Sequence, residues 1–325
     1  MAMEHRAFMY RGVEDFLSVT VPYLESGLAN DEAVIAVVRE PNLSALRDVL
    51  APRGAPIRFF DSAEFYRHPV HTLRDYQNVV KESAPRAVCA LAEPFWDGWD
   101  ERQTLEWIRY ESLINVMFQG SGARALCPYD TGALPLRVVA EARRTHPLLL
   151  APGRSGRNDE YLDPVTFGSG VDRGLHRARG RRRDRPRTAE YLPVDGDDLH
   201  ALRSFTTERT VRLGLAKRPG QNLVTAVNEV AANALQHGTP PVGVWMWRDG
   251  DDVVCEIGDN GFWSPPPSPL TGFIPPDTAL QRGFGLWTVR LLVDLMEIRA
   301  DWDGTFVRLR TRVAPAAHGD SAGSR

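Results

Sequence analysis

A chain of 325 residues with 43% apolar and 25% charged side chains has the length of two average domains, and enough apolar content to bury a core in each. Its 39 basic and 42 acidic residues nearly cancel, to a formal charge of -3, so global electrostatics gives no reason to expect nucleic acid or an anionic membrane as a partner. Three scattered cysteines (Cys89, Cys127, Cys255) without CxxC spacing exclude a disulfide framework or a zinc knuckle as the organising device. No apolar run approaches the ~20 residues of a membrane helix, and MAMEHRAFMY lacks the cationic start and apolar stretch of a secretory signal. A cytoplasmic, two-domain protein is expected.

Residues 1 to about 150 alternate between two kinds of segment. RAFMY, DEAVIAVV (31–38), IRFF (57–60), RAVCALAEP (86–94) and ARALCPYD (123–130) read as strands. The stretches 13–30, 41–51, 68–83, 101–120 and 135–146 carry apolar residues at helical spacing, with Pro41 and Pro135 where a helix start tolerates them. Strands apolar on both faces, alternating with helices, predict an α/β domain with a mainly parallel sheet.

From 151 to 190 the periodicity stops. Eight arginines fall between Arg173 and Arg187 among Gly and Pro. The segment reads as a solvated linker. A nucleic-acid-binding arm is the competing reading, but no aromatic residue interleaves the arginines for base stacking.

The second half, 191 to about 314, has a different order. Two helices (197–215 and 220–238) precede the strands VGVWMWRDG and DDVVCEIGDNG, joined at Asp249-Gly250, a hairpin signal. A Pro/Gly-rich loop (264–283) leads to a third helix, GFGLWTVRLLVDLM, and the chain closes with two strands around Asp303-Gly304. This order predicts an α+β sandwich: an antiparallel sheet with helices on one face. The tail 315–325 reads as disordered.

The chemistry concentrates here. In NEVAANALQHG, Glu229, Asn233 and His237 follow one another at four-residue spacing and share a helix face. Carboxylate, amide and imidazole in a row suit a polyphosphate–metal platform, an amide oxygen being a hard ligand for Mg²⁺. A solvent-facing polar stripe is the plain alternative. Asp259-Asn260-Gly261 ends a strand, where Gly lets the backbone approach a flat ligand. Gly283-Phe284-Gly285 opens a helix whose bare amides suit oxyanions. Alone, the first is a turn and the second a loop-to-helix joint.

Taken together, Glu229-x3-Asn233-Ala234-x2-His237, Asp259-x-Gly261, Gly283-x-Gly285-Leu286 and Gly304-Thr305 resemble the GHKL (Bergerat) ATPase fold, in its branch of bacterial anti-sigma factor serine/threonine kinases. The resemblance covers roughly 190–313. It implies ATP and Mg²⁺ as cofactors, with Asn233 holding Mg²⁺ between the phosphates and His237 near them. It also implies that Asp259 accepts from the adenine amino group with Thr305 assisting, that Gly261 belongs to the first glycine box, that Gly283 and Gly285 close over the phosphates, and that Glu229 is the general base. Such an inventory suffices for phosphoryl transfer, which needs positioning, a metal and an orienting base. In one respect the chain departs from the pattern: Trp263 stands where relatives commonly carry a second Gly.

A sensor histidine kinase shares the fold, and His200 in HALRSF faintly echoes a phosphoacceptor box. Only 28 residues separate His200 from Glu229, too few for a two-helix dimerisation hairpin plus the start of the ATPase domain.

The first half has no GxxxxGK(S/T) loop. His5-Arg6-Ala7-Phe8-x-Tyr10, Phe59-Phe60-Asp61 and Cys127-Pro128-Tyr129-Asp130 resemble the MEDS sensory domain, similar to a RecA-like sheet stripped of its catalytic loop. Ligands of open α/β sheets gather at the carboxyl ends of strands, here Asp61, Glu93 to Trp96 and Cys127 to Asp130. Cys127 itself reads as a small buried hydrophobe, and His68 with His71 lacks the partners of a metal site. Trp96 and Trp99 read equally as a pocket cap and as packing.

The resemblances imply an anti-sigma regulator in which a MEDS-like domain (1–150) gates, across a linker (151–190), an ATPase domain (191–314). That domain would phosphorylate Ser/Thr of an anti-anti-sigma (STAS-type) partner and so control sequestration of a sigma factor. A small-molecule ligand for the first domain and pairing of ATPase halves into a homodimer are also implied; direct nucleic-acid or membrane partners are not. A catalytically silent, nucleotide-gated binding module is the second reading, favoured by Trp263 as Glu229 favours the first.

Overall fold

The computed structural model describes residues 3–151, 154–168, 170, 185–196, 199–262, 272–273, 284–301 and 303–313. The chain divides into two compact units, parting at Arg177 and Ala178.

In the first unit, β1 (Glu4–Tyr10), β2 (Ala33–Val38), β3 (Arg58–Asp61), β4 (Val88–Ala92) and β5 (Arg124–Asp130) stand where apolar runs predict them. The helices α1 (Gly12–Ala29), α2 (Asn42–Leu50), α4 (Pro69–Ser83), α5 (Glu101–Met117) and α6 (Leu136–Thr145) lie between them, with a short α3 (Ser62–Phe65) not anticipated. The sheet runs β3-β2-β4-β5-β1-β6-β7, where β6 is Leu148–Ala151 and β7 is Arg154–Arg157. All pairings are parallel except β6 with β7. Ordered strands therefore continue past residue 150, into the segment expected as linker. β7, RSGR, carries no apolar residue, and β6 is separated from α6 only by His146 and Pro147, so neither shows a strand pattern of its own.

Because the strands are apolar on both faces, two cores form. Phe16 and Leu24 of α1 and Leu43, Leu46 and Leu50 of α2 pack on Phe8, Val34, Ala36 and Leu126. On the opposite face Tyr76, Trp107, Ile108, Val138 and Ala142 cover Ala7, Ile35, Ala90, Ala125 and Cys127. The start of α5 is fixed by a capping box, Asp100 accepting from the Gln103 N–H while the Gln103 side chain accepts from the Asp100 N–H.

In the second unit the described strands run β11-β12-β10-β9-β8, all antiparallel: β8 (Glu190–Val194), β9 (Val242–Asp249), β10 (Asp252–Asp259), β11 (Leu295–Asp301) and β12 (Gly304–Arg312). Helices α7 (Leu199–Arg212), α8 (Lys217–His237) and α9 (Phe284–Leu292) join a shared core with Val244, Met246, Val253, Cys255, Ile257 and Leu309. Alternation turns Trp245, Glu256, Phe306 and Arg308 to the other face. There the Arg185 guanidinium lies 3.3 Å from the Trp245 ring centroid and donates to Glu256 Oε1 at 2.6 Å, so the end of the arginine-rich segment is ordered on this sheet. Burial alone would raise the Glu256 carboxyl, but Arg308 and Arg185 beside it hold it below its ordinary value. Gly250, at φ 60°, makes the expected β9–β10 turn, since L side chains avoid the left-handed region. Gly283, Trp263 and the 315–325 tail lie outside the described residues.

Candidate functional site

Helix α8 buries Leu223, Ala226, Val227, Val230 and Ala231 in the core, which turns Glu229 and Asn233 to its half-exposed side and leaves His237 exposed at the end. The Asn233 Nδ2 group donates towards Glu229 Oε1 at 3.4 Å, a long bond that nevertheless orients the amide and turns its oxygen away from the carboxylate. Helix α9 enters directly above: a Cβ on Gly285 would fall inside contact distance of Glu229 Oε1 and 3.3 Å from Asn233 Nδ2. Glu229, Asn233 and Gly285 thus meet.

The second cluster joins the end of α8 to the end of β10. Gly238 closes the helix, its N–H donating to the Ala234 carbonyl; a Cβ there would lie 2.5 Å from both that oxygen and the Asp259 carboxylate. Asp259, buried, accepts through Oδ1 from the N–H groups of Thr239 (3.1 Å) and Gly261 (2.6 Å), while Asn260 N–H donates to the Thr239 carbonyl. Across the ladder Asp259 faces Thr305, whose hydroxyl donates to the Gly261 carbonyl at 2.9 Å. Gly304, at φ 129°, lets the β12 backbone lie against the Asp259 carbonyl. Asp259, Gly261 and Thr305 therefore form one stitched corner. Sequence reasoning left out Gly238, whose signal was the His-Gly pair at a helix end. His200 sits exposed on α7, just after the edge strand β8 and within the same sheet domain.

In the first unit the carboxyl ends of the strands carry a buried polar network. Tyr10 OH donates to Glu93 Oε1 at 2.7 Å, Asn42 Nδ2 donates to the Tyr10 oxygen at 2.8 Å, and the Arg39 N–H donates to Glu93 Oε2 at 3.1 Å. Burial pushes the Glu93 carboxyl up to about 7, against the pull of these donors. Tyr10 belongs to the motif already read from the sequence; Asn42 was not singled out there. Trp99 stacks on Trp107 with centroids 4.6 Å apart and planes 1° from parallel, which is the packing reading of Trp99, whereas Trp96, buried beside them, lines a cavity.

A family model described as the methanogen/methylotroph, DcmR sensory domain (MEDS) matches residues 4–147, and one described as a histidine kinase-like ATPase domain matches residues 192–311. No curated protein matches the chain. Among solved structures, similarity extends to the RsbU and RsbW domains of a Mycobacterium tuberculosis protein, at 19% identity and TM-score 0.30, covering 41% of this chain and 34% of that one. The histidine kinase domain of the E. coli osmosensor EnvZ follows at 15% identity and TM-score 0.25, covering 42% of this chain and 95% of that one. The Acinetobacter baumannii histidine kinase AdeS stands at 9% identity and TM-score 0.24, covering 47% and 83%. The chain thus spans about a third of the first of these relatives. Among the described residues no helix is long and apolar enough to cross a membrane. The protein joins an N-terminal MEDS domain to a C-terminal histidine kinase-like ATPase domain.

Proposed function

We propose that the ATPase domain transfers the terminal phosphoryl group of ATP to a serine or threonine of an anti-anti-sigma (STAS-type) protein, and thereby sets whether a sigma factor is captured. The ATPase domain would act under the control of the cytoplasmic N-terminal sensory domain, whose sheet continues past residue 150 through β7. Histidine kinase-like ATPase domains support nucleotide binding and a kinase role in general. The observation that supports the finer reading is Glu229 seated beside Asn233 and under the Gly285 backbone, where its carboxylate would accept a hydroxyl proton.

The donor set suits Mg²⁺. With Nδ2 of Asn233 committed towards Glu229, its amide oxygen is left as a hard ligand. When bound, Mg²⁺ would neutralise charge on the phosphates. The Asp259 carboxylate uses one oxygen, Oδ1, for its own corner, and the other is the natural acceptor for an adenine amino group, with Thr305 and Gly261 fixing the corner. Gly283 and Gly285 would approach the phosphates through bare backbone, and His237 would stand near them.

The test is ATP binding by calorimetry with and without Mg²⁺, on the full chain and on Asn233→Ala, followed by phosphoryl transfer with Glu229→Gln. Mg²⁺-dependent binding lost in Asn233→Ala, and transfer lost with binding kept in Glu229→Gln, are expected. No ATP binding by the wild-type chain would overturn the proposal. Binding without transfer, with sigma-factor release in cells indifferent to Glu229→Gln, would leave the silent nucleotide-gated module in its place.

A further inference from the structure

In the MEDS domain, β1 lies between β5 and β6, and this brings together three residues far apart in sequence. His5 is on β1, Cys127 on β5, and His146 directly after α6 before β6 begins. All three are buried, and one ligand atom of each lies within 4.8 Å of the others.

Their hydrogen bonds fix which atoms face one another. Asn115 donates through Nδ2 to the carbonyls of Ser112 and Thr145, so its Oδ1, 3.1 Å from His5 Nδ1, must be an acceptor. His5 therefore carries its proton on Nδ1 and presents a bare Nε2, 3.4 Å from Cys127 Sγ. His146 Nδ1 faces the Ala142 carbonyl at 2.7 Å, another pure acceptor, which leaves Nε2 bare, buried and without a hydrogen-bond partner. Two imidazole lone pairs thus face one thiol, whose single proton can serve only one of them. Burying an acceptor without a donor is destabilising, and a cation would satisfy both nitrogens at once.

We propose that His5, Cys127 and His146 form a mononuclear site for a divalent first-row transition cation, zinc above all, with a fourth position open to the adjoining cavity. Zn–N and Zn–S bonds of about 2.0–2.1 and 2.3 Å place tetrahedral ligands roughly 3.3–3.7 Å apart, the separation found between His5 and Cys127; His146 needs to close by about 1 Å at most. Both imidazoles already donate their remote N–H to an oxygen, the outer-shell arrangement that orients metal-bound histidines. Nitrogen and sulfur donors disfavour Mg²⁺ and Ca²⁺. Binding displaces the thiol proton to solvent. The cavity, about 60 Å³ and lined by His5, Cys127, Tyr66, Trp96, Trp107 and Glu111, has room for water or a small ligand on the metal. Glu111, its Oε1 held by Tyr129 OH, keeps Oε2 without a partner and offers that ligand an acceptor.

The experiment is Co²⁺ and Zn²⁺ titration of the reduced, chelator-treated full chain, with Cys127→Ser, His146→Gln, Asn115→Ala and the control Cys89→Ser. Expected are one Co²⁺ per chain with a thiolate-to-cobalt charge-transfer band, displacement by Zn²⁺, loss of the band in Cys127→Ser, and its retention in Cys89→Ser. Asn115→Ala should weaken binding by about 10–100-fold while keeping the band. Circular dichroism sets aside any variant that fails to fold, in which case wild type and Asn115→Ala decide. A folded wild-type chain that takes up no Co²⁺ or Zn²⁺ stoichiometrically, or a band that survives Cys127→Ser, would overturn the proposal.

Discussion

Replacing Glu93 by Gln should change the pH dependence of the MEDS domain in a direction fixed by linkage. The carboxyl titrates near 7 when folded because burial outweighs the donors Tyr10, Asn42 and Arg39, against 4.5 when unfolded. A carboxyl whose folded value is raised contributes its stability below the unfolded value and loses it as pH rises through the folded one. At about 1.4 kcal/mol per unit, a rise of roughly 2.5 units amounts to about 3 kcal/mol, of which some 2–3 kcal/mol is lost between pH 5 and 8. Gln cannot ionise, and forfeits about 1 kcal/mol at every pH because its NH₂ cannot accept from the Arg39 N–H. Wild type should therefore be the more stable at pH 5 and the variant at pH 8, the crossover corresponding to about 5–10 °C in the midpoint of a domain this size. Glu111, also raised to about 7 by burial, adds a similar slope to both proteins and cancels in the comparison. Scanning calorimetry of both chains at pH 5.0, 6.5 and 8.0 makes the measurement. A wild-type-minus-variant difference that stays constant over that range refutes the reasoning, because it means Glu93 titrates alike folded and unfolded.

Three further outcomes can be checked with purified variants. Gly285→Ala pushes a methyl into Glu229, the mobile end of a side chain, so stability should fall by only about 1 kcal/mol while phosphoryl transfer drops about 100-fold or more; unchanged transfer would contradict the placement of Glu229. Gly304→Ala sets an L side chain at φ 129° against the Asp259 carbonyl and should cost about 3 kcal/mol in urea unfolding, whereas Gly250→Ala, at φ 60° with open space around it, should cost about 1 kcal/mol. Asp100→Ala removes the α5 cap and should cost about 1 kcal/mol without affecting ATP binding, read from the same unfolding curves and a titration.

How much of this was legible in the sequence depended on how far each feature reaches along the chain. The α8 stripe of Glu229 and Asn233 and the Asp259–Gly261 turn are local: a four-residue repeat and a strand end suffice to see them. Most strands of the first unit announced themselves because parallel strands covered on both faces are apolar throughout. The strands β6, β7 and β8 escaped: RSGR and EYLPV are not apolar runs, LLLA directly follows a helix and a proline, and each is defined by a neighbour already in place. Arg185 read as one solvated arginine among eight because its partners, Trp245 and Glu256, come 60 and more residues later.

His146 is the extreme case. On its own it is a histidine before a proline at the end of a helix, and Cys127 by itself is what its apolar neighbours make it, a small buried side chain. Residues 5, 127 and 146 have no spacing that a linear pattern recognises. What assembles them is the crossover that carries the chain from β5 over β1 to β6, so that the first strand to form in sequence is enclosed by two of the last. A parallel sheet gathers its chemistry this way as a rule, from neighbouring strands that are distant in sequence. The antiparallel ATPase domain instead carries half of its candidate site on one helix. That difference in connectivity, more than any difference in chemistry, is why Glu229, Asn233 and Asp259 were visible from the sequence and the His–Cys–His cluster was not.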